Sequence, residues 1–313
     1  MIKINQIKLK IFFDESNYGK NKNNKSKGKH YSKLKIDLMG GIAIPDQIYA
    51  AQGFDEFNQL VKKNKFKLHW VEYKGYSGDR ERITKIMTYV AKFYKLLDIN
   101  IIYKEHRNYT NIKNNQIKDM MYYKFPERII YGLLREYNQH TKVVTDIYIE
   151  EASEYEKKEI NLKKNTIKNL QKQAIYRGQS FDISSDRFFY VDCRENFDNI
   201  KNKEKEKILN NREIGVYIID LILGIVRTIL ENNYYTKTHK ELSANVRDKN
   251  ELVMILVTND DFYNMIKDIN LFFWKYDETL GKINMEEYIK SFLSNQKLWI
   301  NYIDSDRQTK LYI

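Results

Sequence analysis

The sequence predicts an α/β fold: a mixed five-stranded sheet flanked by helices, with a C-terminal αβ extension. Short apolar runs of strand type alternate with longer stretches of helical periodicity, and the first three runs read as a meander before later ones are joined through helices. A late run, IGVYIIDLILGIV over residues 214–226, is apolar nearly all round and therefore reads as a buried helix.

Residues 7–13 and 34–44 are the first two strands. Between them the segment NYGKNKNNKSKGKHYSK has Gly, Ser and Asn but no acid, as a long basic loop would. Pro45 closes the second strand and Asp46 caps a helix to about residue 62. A second helix is expected over 79–97, and the run INIIY at 99–103 is a third strand. Helical periodicity from about 117 to 137 is interrupted by Pro126, which kinks the helix or starts a new one. A fourth strand over 143–149 leads into EEASEYE, and a basic helix follows. Residues 187–191 are the fifth strand, and the hydrophilic linker NIKNKEKEKILNN delivers the chain to the apolar helix. Composition divides the chain at 1–233 and 234–313, the latter an accessory segment with VMILV, LFFW and an amphipathic run at 285–293.

With 313 residues and 42% hydrophobic content the chain can bury a substantial core. Its 54 Lys and Arg against 42 Asp and Glu give a formal charge of +12, which suits a polyanion such as nucleic acid. Lys, Asn, Ile and Tyr are abundant, as an AT-rich genome would impose, so charge supports that partner only weakly. Cys193 is the single cysteine, which excludes an internal disulfide and a Cys-built zinc site and fits a reducing cytoplasm. The N-terminal MIKINQIKLKIFF lacks a signal-peptide core, and the apolar helix is short for a bilayer and carries a carboxylate; no membrane is expected.

That carboxylate, Asp220, is the only charged side chain in its run, and burying it unpaired would cost several kcal/mol. Either a structural partner such as Arg227 or a metal ion must hold it. Other carboxylates occupy strand ends and turns: Asp14 in IFFDES, Glu72 in HWVEYKG and Glu150 in IYIEEASEY. Phosphodiester cleavage needs an activated water and a neutralised leaving oxygen, which two hard divalent cations about 4 Å apart provide. Mg2+ or Mn2+ at such a site takes oxygen ligands from several elements, so Asp14, Glu150 and Asp220 are the expected metal ligands, with Glu72 completing the catalytic set. Glu15, Glu151 and Glu213 are secondary candidates; pleating turns Glu15 and Glu151 to the opposite faces of their strands.

This element order, with carboxylates on the first strand, at the end of the fourth and on the last helix, resembles an RNase H-like fold. The Asp-Glu-Ser strand end at 14–16 and the late acidic helix are similar to the bacterial "domain of unknown function 3800" family, over roughly residues 7–231. Glu150 stands where that family more usually has Asp, and Ile219 replaces a small residue. The resemblance implies a metal-dependent nuclease of a mobile-element or phage-defence gene set, with a protein partner from a defence or toxin system.

Substrate contacts are expected from the basic helix, through Lys157, Lys163, Lys164, Lys168 and Arg177, although a solvated helix face explains the same charges. Around Glu72, His69 offers a proton carrier, Trp70 a stacking plane and Lys74 a phosphate contact. His106 and the 20–35 loop are further candidates. The functional expectation is a nuclease acting on DNA, RNA or a hybrid. The alternative is a catalytically weak nucleic-acid-binding or sensing subunit of a multi-protein complex.

Overall fold

The computed structural model describes residues 5–16, 36–64, 68–105, 114–135, 137, 141–150, 162–178, 180–182, 187–194, 199–232, 242–275 and 279–296. β1 (Asn5–Ser16) and β2 (Ile36–Pro45) pair antiparallel, with Asp14 opposite Gly40. α1 (Asp46–Tyr49) and α2 (Gln52–Lys62) follow, and a 3-10 turn at Trp70–Glu72 leads to α3 (Ser77–Ala91). A second 3-10 turn, Tyr94–Leu96, ends this layer short of the expected position, and β3 (Asp98–Glu105) pairs antiparallel with β2. α4 (Asn114–Leu134) contains Pro126 within a single helix, and β4 (Thr141–Glu150) returns parallel to β1.

After α5 (Leu162–Arg177), both β5 (Ser180–Asp182) and β6 (Phe188–Val191) pair parallel with β4. The hydrophilic stretch expected as a linker is instead a helix, α6 (Asn202–Asn210), which anchors itself through buried Ile208. Then come α7 (Ile214–Asn232), α8 (Ala244–Val257) and α9 (Asp260–Lys267). β7 (Asn270–Trp274) pairs parallel with β3, β8 (Leu280–Ile283) pairs antiparallel with β7, and α10 spans 285–296.

The sheet therefore has eight strands rather than the expected five, in the order β5-β4-β1-β2-β3-β7-β8, with β6 also on β4. The added strands arise because residues 180–182 form a separate short strand and because the C-terminal segment extends the β3 edge. Residues 244–275 and 279–296 are thus built onto the same sheet, and Leu252, Phe262 and Ile289 join the core shared with Phe12 and Ile218.

The sheet is buried on both faces. Along β1, Leu9, Ile11 and Phe13 enter one core with Leu170 of α5 and Ile129 of α4, whereas Phe12 enters the other with α7. α7 lies under the central strands and is covered by α8, so its apolar surface is needed on nearly every side. Close approach is made possible at Gly215, where an added Cβ would stand 2.3 Å from the Phe12 ring. Among the described residues, no helix is long and apolar enough to cross a membrane.

Candidate active site

Strand parity brings the predicted carboxylates together. Asp14 shares the face of Phe12, and Glu150 that of Tyr148; the parallel β1–β4 register, Phe12 beside Tyr148 and Phe13 beside Ile149, sets Asp14 and Glu150 side by side at the strand ends. Their carboxyls are in hydrogen-bonding contact, and Asp220 acts on Asp14 from α7. Asp14 is only 3% exposed. Burial, then the charges of Glu150 and Asp220, push its carboxyl well above the usual range, and the Glu15 amide donating to Oδ1 at 2.7 Å offsets this only in part.

Asp220 is held by groups from the 3-10 turn. The Trp70 amide donates to its Oδ2 at 2.7 Å, and His69 Nδ1 lies 3.6 Å from the same oxygen. The other ring nitrogen of His69, Nε2, is 3.3 Å from the Cys193 carbonyl, an acceptor, so both nitrogens face oxygens and the imidazolium satisfies both. Burial alone would lower this histidine, but the Asp220 hydrogen bond and charge, with that of Glu150, raise it to about 9. The expected structural partner, Arg227, is engaged elsewhere: it donates to the Ser16 carbonyl and pairs with Glu231 at 3.6 Å.

The space beside Gly224, one turn after Asp220, is filled by Trp70, whose ring lies 2.0 Å from where a Cβ would stand. Trp70 is thus a wedge between α7 and its own turn, with its amide on Asp220, rather than an open stacking plane.

The remaining candidates separate. Glu72 is exposed and lines a cleft of about 370 Å³ with His69, Lys74 and the exposed side chains of Val71 and Tyr76; the largest charges acting on Asp14 and His69 are those of Glu150 and Asp220. Glu15 points to the other side of the sheet, where the Tyr122 hydroxyl donates to it at 3.2 Å. Glu213 is turned away from Asp220, with the Tyr49 hydroxyl at 2.6 Å and Lys62 at 3.7 Å. Lys164, Lys168 and Arg177 are exposed on α5, but that helix packs through Leu170 into the core on the opposite face of the sheet from Asp14. The basic helix is therefore not beside the acidic cluster, because it packs on the other face of the sheet. Glu151, Lys157, His106, the side chain of Lys163 and the 20–35 loop lie outside the described residues.

Lys249 of α8 was not singled out by the sequence. Its Nζ stands 5.5 Å from the centre of the Trp70 ring, and burial lowers it to about 8 despite the opposing charges of Asp220 and Glu231. Nothing local in RDKNELVMILV marks it; only the packing of α8 on α7 brings it there.

The donor set is of hard oxygens, the kind that Mg2+ or Mn2+ prefers, and the like-charge contact of Asp14 with Glu150 is one that a cation would relieve. Among the described residues, no three His, Cys, Asp or Glu side chains already stand at the spacing that encloses an ion. Compared with protein-family models and with curated proteins, the chain matches none.

Proposed function

We propose that the protein is a divalent-metal-dependent nuclease hydrolysing phosphodiester bonds, with Asp14, Glu150 and Asp220 as the groups that hold the ions. The observation that carries this reading is the meeting of those three carboxylates on one sheet face, from two strand ends and a buried helix. Mg2+ or Mn2+ ions held there supply Lewis acidity to an attacking water and to the leaving oxygen. His69 and the Trp70 amide orient Asp220, so that its charge is fixed before substrate arrives.

The sheet supports an RNase H-like reading: β1 to β3 are antiparallel, β4 is parallel to β1, and the next strands are parallel to β4. It agrees with the resemblance to the "domain of unknown function 3800" family, and a role in phage or mobile-element defence with a protein partner is proposed on that resemblance alone. The nucleic acid approaches from the cleft beside His69, where Lys74 and Tyr76 are exposed, rather than along α5.

One observation favours the alternative, a nucleic-acid-binding or sensing subunit: Asp220 already has partners, which gives it a structural role without an ion. Incubation of the purified protein with single-stranded, duplex and hybrid DNA and RNA in Mg2+ or Mn2+, beside Asp14→Asn, separates the two. Cleavage by the wild type alone, abolished by chelator, is the expected result. Binding without metal-dependent cleavage on any substrate would establish the alternative.

A further inference from the structure

A site of three carboxylates repels the phosphodiester it acts on until cations neutralise it, and a protein cation on the substrate side adds to the attraction that bound metal would supply. His69 is committed to Asp220 and the Cys193 carbonyl, and Arg227 to Ser16 and Glu231. We propose that Lys249, supplied by the C-terminal segment, contacts the substrate phosphate beside the acidic cluster. The inference rests on the nuclease reading and deepens it, since it assigns residues 244–257 a part in the site.

The geometry is specific. Lys249 Nζ lies over the ring of Trp70, the residue whose amide binds Asp220, so the ammonium and the carboxylate flank a single residue. The side chain is half-buried, and among the described residues it makes no hydrogen bond and no ion pair within 4.0 Å, so its donors are available to an incoming phosphate. Its helix is fixed against the segment that follows Trp70 at several points. Asn245 donates to the Tyr73 carbonyl at 3.2 Å, Glu251 pairs with Arg80 at 3.0 Å, and the carboxyl of Asp248 lies against Gly75, where a Cβ would stand 2.4 Å from it. Gly75 has φ +80°, so the loop accepts Asp248 only with glycine at this position. Lys249 is therefore held in place before binding, and less entropy is lost when it meets a phosphate.

The test uses full-length Asp14→Asn protein, in which cutting is blocked, and measures binding of short DNA and RNA oligonucleotides over a range of salt concentrations. Adding Lys249→Met is expected to weaken binding about tenfold and to reduce the slope of log K against log salt by about 0.7–0.9, one phosphate contact. Lys249→Arg should restore the slope. Thermal melting of each variant verifies the fold. An unchanged affinity and slope in Lys249→Met overturns the inference, as does weaker binding at an unchanged slope, which would mean that Lys249 acts only by holding Trp70. If Asp14→Asn binds none of the oligonucleotides, the nuclease reading itself falls and this inference with it.

Discussion

Asp14 is 3% exposed beside two other carboxyls, so burial and like charge both act against its ionised form. Because its folded value is raised above 3.8, its contribution to stability is full below that pH and is lost as pH rises through the folded value. Asp14→Asn removes the penalty. In chelator, its melting temperature should exceed that of wild type by about 2–4 °C for each kcal/mol relieved, with the gap opening as pH rises from the acid range, while cleavage is lost. Melting curves across pH measure this; a variant that is less stable at neutral pH would show that the carboxylates do not repel. His69 behaves with the opposite charge but the same sign of linkage. Its stabilisation is full below 6.5 and disappears as pH rises through about 9, so the metal-free His69→Gln protein should be less stable by on the order of 3 kcal/mol at low pH and equal to wild type above that window. Denaturant unfolding at three pH values provides the comparison. An imidazole titrating near its ordinary value by NMR would contradict the Asp220 pairing.

Among the elements, α7 depends on two notches, Gly215 for Phe12 and Gly224 for Trp70. Gly224→Ala should cost about 1–3 kcal/mol by overpacking and should displace Trp70, breaking the amide bond to Asp220. Activity is expected to fall much further than stability, whereas Gly215→Ala, on the Phe12 side, lowers stability with a smaller effect on turnover. Equal turnover losses in the two variants would mean that the Trp70 amide does not position the site. Asp14 and Asp220 were legible in the sequence because one ends an alternating strand and the other interrupts an apolar helix. Glu150 was legible for the first of these reasons. For Glu72, proximity to His69 and Trp70 in sequence does not fix which way a 3-10 turn presents its side chain, which is exposed beside the cleft. α6 was hidden by a polar composition with a single buried anchor, Ile208, and β5 by its length of three residues.

For the whole molecule, the order of β1 to β4 followed from local patterns, but the parallel pairing of β7 with β3 joins residues about 170 positions apart and has no local signature. Its consequence is that the C-terminal segment packs on the first part of the chain: α8 covers α7, and β7 covers the β3 edge. A chain ending at Asn232 should therefore expose both surfaces and lose cooperative unfolding in calorimetry; a sharp melting transition would show that the first part folds alone. The central claim, that Asp14, Glu150 and Asp220 from three elements make one cation site, is tested most directly by calorimetric titration of Mn2+ into wild type and single variants. Asp14→Asn, Glu150→Gln and Asp220→Asn should each weaken binding at least about tenfold, while Glu72→Gln and Glu213→Gln leave it unchanged. Mn2+ binding that is equal in wild type and Asp220→Asn, or that is lost only in Glu72→Gln, would contradict it.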